Sequence, residues 1–314
     1  MKSLILFPDD NHTGNHLNAG MIELGWESTH VCTNSRFNEI LSEYDRIQPE
    51  LIICCRGGHL YESLNQIREK NPQTTIYCWN TDSRFSLEEY AREFGQGLVS
   101  LFRLVDRVYN VAIGEVEYFK GEGIDSKWLV QGIGNENKPS IERGYKHDIS
   151  FLGSIDLLHE SQGGRISLLR GLYRAGYNLN LEPAYGDEAC RVYYQSRINL
   201  GHAHSPHLGE NSVRDFKIMG SGGFLLTQWF GGIEEIHNIG VEMDCYKTPE
   251  ECLEKVKYYL EHEDERERIA QTGYEACHDR HKYSDRLKTI IEDYKNESNH
   301  RSTRVSGQAS STID

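Results

Sequence analysis

Short apolar runs alternate with helix-length stretches along most of this chain, and that alternation restricts it to parallel sheets covered by helices on both faces. Leu51-Ile52-Ile53-Cys54-Cys55 is one such run, and Arg56-Gly57-Gly58 ends it. A strand with one wet face would alternate apolar and polar residues; this one does not. Further strands are predicted at 4–7, 74–79, 107–112 and 127–130. Between the first two runs Leu17, Met21 and Leu24 recur at helical spacing, with Gly25 as a stop. Other helices are predicted near 61–70, 87–104 and 115–121.

The polar stretch Gly132-Ile133-Gly134-Asn135-Glu136-Asn137-Lys138-Pro139 breaks the pattern and reads as an interdomain linker. A second series follows, with strands predicted at 148–152, 178–181, 198–200, 224–227 and 241–245. Ile166, Leu169, Leu172 and Tyr173 form a helix face, stopped by Gly176. Ser212-Val213-Arg214-Asp215 resembles a capping box with aspartate in the last position. Thr248-Pro249-Glu250-Glu251 is a full box with proline at the first helical position. From residue 297 the chain is rich in Ser, Thr, Asn and Gly, which predicts disorder. The expected layout is two Rossmann-like doubly wound domains, 1–138 and 139–296, and a tail at 297–314.

Composition narrows the partners. The 314 residues suit two domains, and the net charge of -14 weakens a nucleic-acid partner without excluding a local basic groove. No apolar run approaches the ~20 residues of a membrane span. The opening Met1 to Phe7 turns acidic at Asp9-Asp10 and reads as a strand, not a signal peptide, so a cytoplasmic setting is expected. Eight scattered cysteines form no C-x-x-C pair and read as reduced packing groups. His202, His204 and His207 lack an H-E-x-x-H or cysteine set, so no metal is expected there.

Ligands of open α/β sheets bind beyond the carboxyl ends of strands. In the first domain these rims hold Asp9 to Asn15, Arg56 to His59 and Asn80 to Arg84. In the second they hold Gly153-Ser154, His202 to Asn211 and Trp229 to Glu235. Two rims facing across a cleft suit the joining of a nucleotide-bound donor to a separate acceptor. The densest element is 211–227, which reads as loop, capped helix, glycine turn and buried strand. Free N–H groups at a helix start, with the dipole behind them, favour a diphosphate. Arg214 adds a planar cation there; it is equally a surface arginine paired with Asp215 or Glu210. Gly220 to Gly223 permits a tight turn. Asp82 follows a strand end and is a candidate base or an N-cap. Neither a P-loop nor a G-x-G-x-x-G motif is present.

Residues 214–227, Arg-Asp-Phe-Lys-Ile-Met-Gly-Ser-Gly-Gly-Phe-Leu-Leu-Thr, resemble a segment of the CgeB-like (spore maturation protein type) glycosyltransferases. So do Gly232-Ile233-Glu234-Glu235-Ile236, the helices at 248–260 and 263–273, and Asp148-Ile149-Ser150-Phe151-Leu152-Gly153-Ser154. Pro49 to Ile53 and Trp79-Asn80-Thr81-Asp82 match more loosely. The resemblance implies a GT-B fold and sugar transfer from a UDP- or GDP-linked donor to an unidentified acceptor: a glycan, small molecule, protein or nucleic acid. It implies retention of anomeric configuration and no metal. It assigns the donor site to Gly14, Asn15, Gly153, Ser154, Arg165, Asn211, Ser212, Arg214, Asp215, Lys217 and Glu235, with Asp82 and Asp10 as catalytic candidates. One departure stands out: the family has glutamate where this chain has Lys217, and that carboxylate often grips the nucleotide ribose. Lysine cannot accept hydrogen bonds. Either Asp215 or Glu210 takes that role, or the donor is bound differently with Lys217 adding charge toward phosphate, or activity is altered, down to a chain that binds nucleotide or sugar without catalysis.

Overall fold

The computed structural model describes residues 1–8, 13–33, 37–155, 163–203 and 205–309. The first sheet comprises β1 (Lys2–Phe7), β2 (Glu27–Cys32), β3 (Leu51–Cys55), β4 (Thr75–Asn80), β5 (Arg107–Asn110) and β6 (Ser126–Trp128), in the order β2-β1-β3-β4-β5-β6. β1 pairs in parallel with β2 and β3, and β3 with β4. Helices α1 (Thr13–Glu23), α2 (Phe37–Ile47), α3 (Tyr61–Lys70), α4 (Leu87–Phe94), α5 (Gln96–Leu104) and α6 (Ile113–Gly121) intervene along the chain. β3 is buried along its whole length, as its unbroken apolar run requires. β2 was invisible to the hydrophobic pattern. It is an edge strand, Glu-Ser-Thr-His-Val-Cys, mostly half-buried, so it needs no apolar run. The helix predicted over 87–104 is two, α4 and α5, broken at Gly95, whose φ of 85° ends a helix.

The second sheet comprises β7 (His147–Ser150), β8 (Leu179–Asn180), β9 (Ser196–Gly201), β10 (Leu225–Gln228) and β11 (Asp244–Tyr246), in the order β11-β10-β9-β7-β8. All four of its strand pairings are parallel. Its helices are α7 (Gly163–Arg174), α8 (Gly186–Tyr194), α9 (Val213–Gly220), α10 (Ile233–Ile236), α11 (Pro249–Glu261) and α12 (Glu263–Arg280). The sheet separates two cores because successive strand residues point to opposite faces. Leu226 joins Ile198, Leu200 and Val256 on one side; Leu225 joins Phe216, Ile218 and Met219 on the other. The strand order reverses between β7 and β9, so their carboxyl ends flank a crevice.

Helix α13 (Tyr283–Ala309) closes the chain. It packs on α1, where a Cβ at Gly20 would come 2.8 Å from Leu287. Tyr294 meets the Trp26 ring edge-on, and Arg107 pairs with Asp293 and Glu297 at 3.0 and 2.7 Å. The segment from 297, expected to be unstructured, is helical through Ala309. Once the first turns are docked, each further residue adds a hydrogen bond without a new nucleation cost. Contacts group the chain into two units that are not successive in sequence, whereas composition marks one boundary at 138. Unit one is Met1–Trp79, Tyr90–Val108 and Tyr283–Asp314; unit two is Asn80–Glu89 and Tyr109–Lys282. Among the described residues no helix is long and apolar enough to cross a membrane.

Candidate functional site

The site is assembled within unit two, at the carboxyl ends of β7 and β9. Helix α9 begins there. Ser212 caps it, its hydroxyl accepting the Arg214 N–H at 3.3 Å. The predicted capping box does not close. Asp215 turns under the helix instead, 2% exposed, and accepts the Thr227 hydroxyl at 3.2 Å.

Arg214 donates from Nε to Leu152 O at 2.7 Å and from Nη1 to His202 O at 3.2 Å. Arg165, in the first turn of α7, donates to Ser154 O at 2.8 Å and to the same His202 O at 3.1 Å. Both guanidinium groups lie over the Phe151 ring, 4.7 and 5.3 Å from its centroid. Two cations thus share one aromatic ring and one carbonyl. Burial, with the Arg214 charge as the next cause, lowers the Arg165 pKa to about 10. Such a pair repels itself, so an anion between the two would relieve a standing conflict. Gly153 makes room for the stack itself: a Cβ there would come 2.6 Å from Arg214 Nη2 and 2.8 Å from Phe151 Cζ.

Several buried polar atoms around this pair have no hydrogen-bond partner. They are Asn211 Nδ2 and Oδ1, Arg165 Nε and Asp215 Oδ1. Asn211 is only 1% exposed. An amide buried with neither end satisfied costs free energy on the scale of about 1–3 kcal/mol per group. It stands just before the start of α9, where unpaired N–H groups and the helix dipole attract anions.

The carboxylates of the site are perturbed by the same burial. Glu210 is pushed up to about 7 by burial and, further down the causes, by the charge of Asp82. It accepts the Ser205 N–H at 2.6 Å and the Ser83 N–H, while Ser205 Oγ donates to Ser83 O at 3.5 Å. Arg84 N–H donates to Glu115, so the loop carrying Asp82 is tied into unit two. Asp215 also rises to about 7, by burial against the lowering effect of Arg214. His202 falls to about 4, through burial first and then the two arginines. Its Nδ1 faces the Ala203 carbonyl at 2.9 Å, so that nitrogen carries the proton.

Of the residues singled out from sequence, Gly153, Ser154, Arg165, Asn211, Ser212, Arg214 and Asp215 come together here. Lys217 lies one turn further along α9 and faces Glu136 at 4.0 Å. Glu235 is exposed on α10, where its neighbour Glu234 accepts from Trp229. Gly14 and Asn15 belong to unit one, where both pack on His30: a Cβ at Gly14 would overlap its ring, and Asn15 Oδ1 is 3.0 Å from its Nδ1. Asp10 and His204 lie outside the described residues. Among the described residues no group of His, Cys, Asp and Glu is placed to hold a metal ion. Sequence reasoning passed over Phe151 as a platform and Glu136 as a partner. Neither breaks a local pattern; their roles depend on what folds against them.

Residues 146–292 match the family model described as "Glycosyl transferase-like". No curated protein matches the chain by sequence. Among solved structures, sucrose-phosphate synthase from Thermosynechococcus elongatus is 10% identical with a TM-score of 0.64, covering 96% of this chain and 100% of its own. HepE of Anabaena, in complex with UDP-glucose, is 11% identical with a TM-score of 0.65, over 94% and 100%. T4 phage β-glucosyltransferase is 12% identical with a TM-score of 0.61, over 94% and 99%. The fold is GT-B, two doubly wound Rossmann-like sheets, and the matched segment spans the whole second sheet.

Proposed function

We propose that this GT-B chain is a glycosyltransferase that uses a nucleoside-diphosphate sugar and holds the diphosphate between Arg165, Arg214 and the start of α9. The matched family model and the fold support an enzyme of the glycosyltransferase class. The observation that carries the donor assignment is the pair of arginines stacked on Phe151, 4.7 and 5.3 Å from the ring, beside the unsatisfied amide of Asn211. Two adjacent like charges, one buried (Arg165) and one half-buried (Arg214), and an unpartnered amide at a helix start are costly in isolation and useful around an anion.

In transfer, the bond from the sugar's anomeric carbon to the diphosphate breaks, and negative charge grows on the departing oxygen. Cations already fixed at that position favour this state more than the bound donor, which is the condition for catalysis. The two guanidinium groups take the part that a metal ion plays elsewhere, so the reading is metal-independent. Asp82, tied to unit two through Ser83, is the candidate group for the acceptor hydroxyl. Gly153 and Ser154 line the donor, and Ser212 fixes the first turn of α9. The UDP-glucose held by HepE of Anabaena supports a uridine or related nucleotide. Retention of anomeric configuration, membership of the CgeB-like branch and a cytoplasmic setting belong to the same reading. The first two rest on the motif at 214–227. The third is supported by cysteines buried as packing groups, Cys54, Cys78, Cys252 and Cys277 each 0% exposed.

Calorimetric titration with UDP, GDP and their glucose conjugates tests the donor assignment; no binding of any of them would sink it. A slow release of free nucleotide from the bound conjugate marks a transferase. Binding without any release marks the non-catalytic alternative.

A further inference from the structure

The residue at which the chain departs from the family pattern, Lys217, has a specific neighbour. Its Nζ lies 4.0 Å from Glu136 Oε1, and the other carboxylate oxygen accepts the Gly134 N–H at 2.6 Å. Glu136 comes from the segment read as a linker. That segment folds onto α9 instead of spanning open solvent: Ile133 is 1% exposed, and both Ile133 and the Glu136 Cβ pack where a Cβ at Gly220 would stand, the latter at 3.4 Å.

Lys217 follows Arg214 by three residues, on the same face of α9 and about 4.5 Å further along its axis. Glu136 therefore meets α9 at a residue about one helical turn beyond the one that carries the proposed phosphate cradle. In a nucleoside diphosphate the group that follows the phosphates is the ribose, whose two adjacent hydroxyls both donate. A carboxylate is acceptor-only and suits that diol; a lysine does not. The other two carboxylates on or beside α9 are withdrawn from solvent. Asp215 is buried and bonded to Thr227, and Glu210 is buried and takes the N–H groups of Ser205 and Ser83. Glu136 keeps partial exposure, 13% of its side chain against 28% for Lys217, and a ligand can reach it.

We infer that Glu136 is the ribose-diol acceptor of this chain, delivered from the segment before β7 and oriented by its ion pair with Lys217. The inference rests on the donor reading above. Lys217 is then a positioning residue and not a phosphate ligand.

The test compares three probes on the full chain by calorimetry: the nucleoside diphosphate that binds (UDP or GDP), its 2′,3′-dideoxy analogue, and inorganic pyrophosphate. Wild-type protein should bind the dideoxy analogue about tenfold or more weakly than the parent nucleotide, the scale of a hydrogen bond to a charged group. Glu136→Gln should remove most of that difference and leave pyrophosphate affinity unchanged. The charge-reversed pair Glu136→Lys with Lys217→Glu, which puts the carboxylate on α9 itself, should restore discrimination. Equal binding of parent and dideoxy nucleotide by wild type overturns the inference while leaving the donor reading intact. So does a Glu136→Gln protein that keeps full discrimination. Failure of all three probes to bind overturns both.

Discussion

Replacing Arg214 by alanine separates what the arginine does for the fold from what it does for the ligand. In the free protein the substitution removes two hydrogen bonds, to Leu152 O and His202 O, and one cation stacked on Phe151. His202 O keeps its bond from Arg165, so only the Leu152 carbonyl loses the donor described here. Against that loss, Arg165 is freed from a like charge that lowers its pKa. The stability cost should therefore stay near the lower end of about 1–3 kcal/mol for an orphaned acceptor. The nucleotide-bound state has no such offset. There the variant loses a charge-assisted bond to phosphate, about 1.5–3 kcal/mol, or about tenfold to 150-fold in Kd. Urea denaturation measures the first quantity and titration with UDP the second. A variant that stays folded, destabilised by only about 1 kcal/mol, but binds UDP at least tenfold less tightly supports the cradle. Unchanged UDP affinity in a folded variant would refute a role for Arg214 in phosphate binding, and with it the reasoning from the Phe151 platform.

Two further outcomes are expected. Burial holds the Asp215 and Glu210 carboxyls at about 7, above their ordinary 3.8 and 4.5, so their protonated forms favour the fold; that contribution is whole below about pH 4 and is lost as pH rises through 7. Asp215→Asn should accordingly flatten the fall in urea stability between pH 5 and 8, and an unaltered slope would count against the buried carboxyl. Gly201→Ala should destabilise by about 1–3 kcal/mol, because its Cβ would overlap Thr227 Oγ1 across the β9–β10 pairing and reach 2.5 Å from Asp215 Oδ1; a denaturation midpoint equal to wild type would contradict that packing.

Much of the fold could be read from the chain because the signals are local. The unbroken run of β3 announces burial on both faces, and Ser212 caps α9 as expected. Gly222 takes a φ of 77° in the turn before β10, where a side chain would be strained. Edge strand β2 escaped notice because it is under no demand to be apolar. The split between α4 and α5 escaped because one glycine inside a helical pattern is a weak stop. The capping-box reading of Asp215 failed for a different reason: the residue is close to Ser212 in sequence, but the space beneath α9, opposite Gly201 and Thr227, claims its side chain.

The sequence by itself determined two doubly wound halves and the start of α9, since periodicity, caps and glycine turns report each element's own environment. Only the tertiary structure decided that Arg165 joins Arg214 over Phe151, that Glu210 clamps the loop of Asp82, and that Lys217 meets Glu136. Each of these pairs joins residues from different elements. Their meeting depends on strand order, on β7 lying beside β9, and on the segment at 132–139 folding back against α9. Those are properties of how elements pack, and no local pattern of residues encodes them.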